Sequence, residues 1–221
     1  MGKWSFEEGD SSTIAGDTSG YSNSGTFGDG TCTPGNGSCP NWYTTDECDL
    51  GFSGCLKFDG DDYVEVAPNS SLDMTKSITL VAWVKRMGPG GVNPDRGIFL
   101  AKQGNYLEAR PDDLCMSLVI VSSKHKCAGN VKEGQWYHAA GTYDGKVYKI
   151  YVNGQVVFSQ SYTGDITNSG GYPLYIGQHS GGGFLFNGFL DEVQIYSEAL
   201  TLSQIRKLYA QGVISRAMAY R

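Results

Sequence analysis

Short runs of alternating apolar and polar residues recur along this chain, and most of them end at a turn bearing glycine. A period of two places successive side chains on opposite faces of a strand, so the pattern restricts the chain to sheet architectures. "CLKFDG" and "DYVEVA", within 55–67, alternate around "DGDD" and read as a hairpin. "SITLVAWVKR" (77–86) sets Ile78, Leu80, Ala82 and Val84 on one face, with Val81 and Trp83 on the other. A strand that is apolar on both faces belongs between two layers. Later, "DGK" and "NGQ" supply the turns that tight hairpins require.

Only "TLSQIRKLYAQG" carries a helical period. Thr201 or Ser203 caps it, Leu202, Ile205 and Leu208 share a face, and Gly212 is expected to end it. The expected fold class is therefore all-β, a two-sheet antiparallel sandwich with one short C-terminal helix. A single domain is expected over 1–221, with a Cys-rich loop insertion at about 28–54 and a short tail at 212–221.

The formal net charge of −6 opposes a nucleic-acid backbone or an anionic membrane as partner, since both select for a basic face. No apolar run is long enough to span a bilayer, and "MGKWSFEEG" lacks the apolar centre of a signal peptide. The chain is thus expected to be either cytosolic or a trimmed mature segment, and the cysteines decide between the two. There are six. Cys32, Cys39, Cys48 and Cys55 crowd a stretch rich in Gly, Pro, Asn and Thr, while Cys115 and Cys127 bracket "MSLVIVSSKHK". The close C-x2-4-C pairs of zinc sites do not occur, so disulfides are expected, with the pairing among the first four left open. Closing the loop between Cys115 and Cys127 would contribute about 3 kcal/mol through chain entropy. Disulfides imply an oxidising compartment, hence a secreted or surface-exposed location. Two glycosylation sequons, at Asn36 and Asn69, fit that compartment.

Four blocks in order carry a resemblance: "LKFDGDDYVEVAPNSSLDMTKSITLVAWVKR", "GQWYHAAGTYDGKVYKIYVNGQVV", "PLYIGQ" and "FNGFLDEVQIYSEALTLSQIRKLY". Together they resemble the LamG-like (laminin G/pentraxin-type) domains of the concanavalin A-like jelly roll. "WSFEEGDSSTIAGDTSG" is similar to that family's opening strand and its "D-x-S-G" turn. The resemblance implies a jelly-roll sandwich acting in extracellular carbohydrate binding, adhesion or protein contacts, as a module of a larger surface protein or assembly. The partner would be a glycan or a cell-surface protein.

Glycoside hydrolases on this jelly roll carry an E-x-D-x-x-E strand, which sets paired acids on one face to flank a glycosidic bond. That motif is missing, and "LEARPDD" (107–113), its nearest approach, is interrupted by Pro111. Asp191 and Glu192 are adjacent in sequence and so point to opposite faces, unlike a retaining pair. Neither G-x-S-x-G nor H-E-x-x-H occurs. His125 is read as a solvated loop residue and His138 as a core histidine. No catalytic constellation is expected, and the chain is read as a non-enzyme.

Calcium takes several oxygens from separate segments. The pentraxin-type placement follows the "I-G-Q" strand, where "HSGGGFLFN" offers no carboxylate. The resemblance implies a second placement, a structural calcium clipping the N-terminal segment to the last strand through Asp17, Asp191 and Glu8. The alternative is an Asx-turn from Asp17 to Ser19 or Gly20, with Asp191 holding a neighbouring backbone group. For a sugar ligand, aromatic platforms with polar neighbours are needed. The candidates are Trp42 and Tyr43 in the cysteine loop, Tyr106 with Arg110, Tyr172, and His179 with Phe184.

Overall fold

The structure, a computed structural model, describes residues 1–219 apart from 10, 44–47, 49–53, 92, 94, 121 and 168–169, and only the backbone of 215–219. In chain order, β1 (Gly2–Trp4), β2 (Ile14–Ala15), β3 (Gly25–Phe27) and β4 (Asn41–Tyr43) precede β5 (Cys55–Asp59) and β6 (Val64–Val66). Next come β7 (Ile78–Arg86), β8 (Gly97–Lys102), β9 (Asn105–Ala109), β10 (Leu114–Ile120) and β11 (Ser122–Ala128). The series closes with β12 (Trp136–Tyr143), β13 (Val147–Val152), β14 (Gln155–Ser161), β15 (Leu174–Ile176), β16 (Asn187–Tyr196) and helix α1 (Leu202–Ala219).

These strands form two antiparallel sheets, the jelly-roll sandwich expected from the sequence. Sheet A runs β14-β13-β12-β7-β16-β5-β4, with β1 added on β16. Sheet B runs β11-β10-β9-β8-β15-β6-β3-β2. One core lies between them: Leu80, Ala82, Ile150, Leu190 and Ile195 of sheet A meet Phe99, Leu107, Met116, Leu118 and Ile176 of sheet B. The alternation on β7 predicts this, since Ile78, Leu80, Ala82 and Val84 all enter that core. Its odd-numbered residues face the other way. Val81 packs with Ala140, Tyr151, Leu200 and Ile205, so α1 is the second layer that a strand apolar on both faces demands.

The β13–β14 turn works as its sequence requires, with Asn153 at φ 50° and Gly154 at φ 74°, the left-handed pair of a two-residue hairpin. The 55–67 stretch does not form a hairpin. β5 pairs with β16 and β4 in sheet A, whereas β6 pairs with β15 and β3 in sheet B. The "DGDD" segment therefore arches between sheets. Alternation alone cannot separate the two cases, because Phe58 and Val64 face the same core from opposite sides.

The cysteine insertion is more than a loop. Asn41–Tyr43 adds a strand to β5, and its local bridges are Cys32–Cys39 and Cys48–Cys55. Residues 44–47 and 49–53 of that insertion lie outside the described set. Cys115 and Cys127 are directly opposed on β10 and β11 and are disulfide-bonded, as the sequence predicts.

Helix α1 begins in a capping box: Gln204 N donates to Thr201 Oγ1 (3.3 Å) and Thr201 N to Gln204 Oε1 (2.8 Å). It does not stop at Gly212 but continues through Ala219, which replaces the expected tail; 220–221 lie outside the described residues. Gly212 serves close approach instead. A Cβ there would lie 2.3 Å from Trp83 Nε1, so only glycine lets the helix settle on that indole.

Candidate functional site

The three carboxylates expected to clip calcium are not brought together. Among the described residues, carboxylate, His and Cys groups of three converge within 4.8 Å only at Asp59–Asp61–Asp62 and at Cys115–His125–Cys127. Asp17 Oδ1 accepts from Lys3 N (2.9 Å) and Ser19 N (2.9 Å), and Oδ2 from Ser19 Oγ (2.8 Å) and Asn23 N (2.8 Å). A carboxylate offers about four lone-pair positions, and these four donors use them. Burial pushes the Asp17 pKa up, but the donors of Lys3, Asn23 and Ser19 outweigh it and hold the group below its ordinary value. Asp17 is thus an Asx-turn and N-terminal clasp, the alternative the sequence offered.

Glu8 Oε1 accepts from Gly16 N at 2.9 Å. Asp191 is fully buried on the α1 side of sheet A, in register with Trp83, and Oδ1 accepts from Glu192 N at 2.7 Å. Strand β16 breaks register between Asp191 and Gln194, with Glu192 at φ 47° and ion-paired to Lys3 (3.2 Å). The residues present therefore do not fit a calcium clip. At the "DGDD" arch, burial and the charges of Asp59 and Asp61 raise Asp62 to about 7, although it accepts from Asp59 N (2.7 Å). Three oxygens from one turn fall short of the roughly six to eight that calcium takes. The Cys115 and Cys127 sulfurs are committed to their disulfide.

A different group of side chains does converge, on the face of sheet B turned away from the core. Strand pairing aligns Glu65, Tyr175, Ala101, Tyr106, Ser117 and His125 in one row across β6, β15, β8, β9, β10 and β11. From β6 to β10 each alternates with a core residue, as Tyr106 and Glu108 do around Leu107, whereas His125 is flanked by Lys124 and Lys126. With Ala101 between them, Tyr175 and Tyr106 stand two strand spacings apart, roughly 10 Å. Tyr63 leans on Tyr175 with ring centroids 6.0 Å apart.

The loop 177–186 folds back over β8 and is pinned by the Ile98 N to Phe184 O bond (2.9 Å). It delivers His179 to Tyr106 (centroids 5.5 Å) and Phe184 to His179 (6.0 Å). Arg96 lies 4.1 Å over the Phe184 ring. Beneath these rings sits Glu108, with no exposed surface. Its Oε1 accepts from Arg96 Nε (2.7 Å) and Arg110 Nε (2.9 Å), and its Oε2 from Arg96 Nη2 (2.9 Å). His125 Nε2 is 3.2 Å from that same Oε2. Arg96 Nη2 also donates to Tyr106 Oη (3.1 Å).

Burial alone would raise the Glu108 pKa, but hydrogen bonds from His125 and Arg96 and the charges of Arg96 and Arg110 prevail, bringing it to about 2. His179 is lowered by burial and then by the Arg96 charge, so it faces the site as a neutral ring near pH 7. Burial first, then Glu65, lifts the Tyr175 hydroxyl to about 12, leaving it a hydrogen-bond donor at any physiological pH.

Of the sequence candidates, Tyr106, Arg110, His179 and Phe184 meet here. Trp42 does not: it is a core residue against Phe27 (5.3 Å), with Nε1 donating to Ser12 O (2.7 Å). Tyr43 packs edge-on to Phe189 at 5.5 Å and under Lys57, and Tyr172 is exposed away from the cluster, its carbonyl accepting from Lys102 Nζ. Asn36 is exposed; Asn69 caps a short 3-10 turn, Oδ1 accepting from Ser71 N (3.0 Å). His125 is not in a solvated loop. It belongs to β11, where the opposed disulfide and β10 hold a polar "SSKHK" in strand geometry. Sequence reasoning missed Arg96, Glu108, Glu65, Tyr63 and Tyr175. Period-two spacing from Tyr106 was enough to find Glu108.

Residues 58–206, well over half of the chain, match the family described as the concanavalin A-like lectin/glucanases superfamily. Among solved structures, domain 4 of an extracellular arabinanase from Geobacillus stearothermophilus, in complex with arabinotriose, is similar at 20% identity and TM-score 0.67. That alignment covers 94% of this chain and 97% of that one. The botulinum neurotoxin serotype G binding domain is similar at 15% identity and TM-score 0.66, covering 95% of this chain and 50% of that one. The chain thus spans about half the length of that toxin domain. A heptameric SAP-like pentraxin from Limulus polyphemus is similar at 20% identity and TM-score 0.54, covering 69% and 80%. A search of curated proteins finds no match. These likenesses are of fold alone; the match over 58–206 shows the family, and the chain belongs to the concanavalin A-like lectin/glucanases superfamily.

Proposed function

We propose that this protein is an extracellular, non-catalytic glycan-binding module whose site is the outer face of sheet B, between Tyr175 and the Tyr106–His179–Phe184 cluster. The carrying observation is the register that lines up two tyrosines with polar side chains on a face no described helix covers. The half-buried rings of Tyr175, His179 and Phe184 suit apolar sugar faces, while Glu65 and the arginines meet hydroxyls. Structural relatives point the same way: one was solved with arabinotriose, and others are receptor-binding domains of toxins. Three disulfides support an oxidising, extracellular setting. No helix among the described residues is long and apolar enough to cross a membrane.

Support for a non-catalytic role comes from the acids. Glu108, at a pKa of about 2, has no proton to lend near neutrality. Glu65 sits three strands away, roughly 14 Å, beyond the spacing of a glycosidase pair. The test is a glycan array, followed by titration calorimetry of any hit. The expected result is saccharide binding that Tyr175→Ala weakens about tenfold or more, with an unchanged melting temperature. A silent array, or hits indifferent to Tyr175→Ala and Phe184→Ala, would overturn the assignment.

A second reading, a protein-contact module, is favoured by one region. Edge strand β14 is exposed except at Phe158, is uncharged, and shows Val156 and Val157 to solvent. Val157→Lys should abolish any self- or partner association through that edge and leave glycan binding unchanged.

A further inference from the structure

The glycan-binding reading does not say which sugars suit the β8–β11 end of the face; the following inference rests on that reading. Two guanidiniums converge there on a single oxygen. Arg96 Nε and Arg110 Nε both donate to Glu108 Oε1, at 2.7 and 2.9 Å. Arg96 Nη2 and His125 Nε2 take Oε2, at 2.9 and 3.2 Å, so the four acceptor positions of the carboxylate are used. The charges do not balance. Two fixed positive charges face one negative charge, with like charges pressed together where the medium is poorly polarisable.

The donors do not balance either. A guanidinium has about five N–H groups. Arg110 spends its Nε on Glu108, and among the described residues its two Nη groups meet no protein acceptor, while its side chain is 35% exposed. Arg96 keeps Nη1 in reserve, and its guanidinium carbon lies 4.1 Å from the Phe184 ring centre. The result is the open fork of Arg110 and the free Nη1 of Arg96, preorganised beside an aromatic ring in a chain whose net charge is −6. Planar forks match carboxylate and sulfate oxygens better than they match a hydroxyl.

We propose that the site takes an anionic saccharide, its carboxylate or sulfate seated on the Nη groups of Arg110 and on Nη1 of Arg96, and its ring against Phe184 and His179. The excess positive charge is then met by the ligand, and Glu108 serves as the fixed base that orients both arginines.

The experiment compares saccharides that differ in charge. Titration calorimetry would measure trigalacturonate, its fully methyl-esterified form, and galactotriose with and without sulfation. The acidic or the sulfated sugar should bind about tenfold more tightly than its neutral counterpart. That advantage should shrink as salt rises from low to physiological concentration. Arg110→Gln should erase the advantage, while Arg110→Lys, which keeps the charge but not the fork, should recover part of it. Unchanged melting temperatures of both variants would exclude a folding effect. If neutral sugars bind as tightly as their charged forms, or Arg110→Gln leaves the ratio unchanged, the anionic assignment fails and glycan binding stands. If neither these sugars nor any on the array bind, the glycan reading fails and takes this inference with it.

Discussion

The outer faces of the two sheets are built to opposite ends. On sheet A, Val81, Ala140 and Tyr151 are apolar, and α1 lays Ile205 on them and stacks Tyr209 on Trp83 (5.7 Å). On sheet B, the equivalent outward positions carry Tyr175, Tyr106, Glu108, Ser117 and His125, of which Tyr106, Glu108 and His125 are joined with Arg96 and His179 by hydrogen bonds and ring contacts. The first face buries apolar area and gains stability from it. The second leaves its polar groups to be satisfied by one another and by solvent, where a covering apolar helix would strand them. One fold thus keeps a helix-covered structural face and the polar face proposed for binding, separated by a single core.

The largest expected effect comes from breaking the polar face at its base. Glu108→Gln leaves two guanidiniums and His125 around a neutral amide, and removing one partner of a buried ion cluster costs about 3 kcal/mol. Urea midpoints should report it. Acid should act in the same direction on the parent protein. The Glu108 pKa is about 2 in the folded state, below its ordinary value of 4.5, so its contribution is full above pH ~4.5 and declines as pH falls through about 2. Glu108→Gln should lose that acid slope. A variant as stable as the parent at pH 7 would show that the cluster carries little energy.

The structural face breaks at Gly212. Glycine to alanine inside a helix ordinarily stabilises by about 1 kcal/mol. Here the added Cβ would come within 2.3 Å of Trp83 Nε1 and 2.8 Å of Cζ2, on a ring that is itself buried. Gly212→Ala should instead destabilise by about 2 kcal/mol, since overpacking a dense contact forces the helix off the sheet. Saccharide affinity should not change, because the binding row lies across the core. A stabilised variant, or one with altered affinity, would blur the division between the two faces.

This division was only half legible in the sequence. Strand β7 announced its two apolar faces, and Leu202, Ile205 and Leu208 announced the covering helix, because both are local periodicities. Tyr106, Arg110, His179 and Phe184 could be singled out as aromatic and polar groups, but not as one site. Their meeting depends on β15 lying beside β8 although more than 70 residues separate them, and on the loop 177–186 folding back. Non-local register of this kind leaves no trace in composition or spacing. The same reason explains the misread "DGDD" hairpin: the partners of β5 and β6 are β16 and β15, which arrive far later in the chain. Gly212 was misjudged because a glycine that ends a helix and one that lets it approach an indole look alike in sequence.

The arch that joins the two sheets should respond to pH in the opposite sense to Glu108. Asp62 is buried and raised to about 7, so the folded protein holds its proton where the unfolded chain has lost it. Stability from this group is full below pH ~4 and declines as pH rises through about 7. Asp62→Asn mimics the protonated form and still accepts from Asp59 N. It should match the parent near pH 4 and exceed it by about 1 kcal/mol at pH 8, a fraction of the full shift because Asp59 and Asp61 remain. Equal pH profiles for the two proteins would mean that the arch is solvated enough to ionise freely.

The smallest expected effect concerns the seam where β1 closes sheet A on β16. Asp17 holds Lys3 N, Ser19 N and Asn23 N through bonds of 2.8–2.9 Å, and backbone pairing sets Trp4 opposite Val193. A carboxylate whose lone pairs are filled by three amides and the Ser19 hydroxyl gains nothing from a cation that must first displace them. Chelation of calcium should therefore leave hydrogen-exchange protection of these three amides unchanged. Asp17→Asn, which turns one acceptor oxygen into a donor facing Asn23 N or Lys3 N, should lower it. Loss of protection on chelation, restored by calcium and missing in Asp17→Asn, would put an ion back at the seam. It would also mean that the structural side of the molecule is held by metal as well as by the packing of α1.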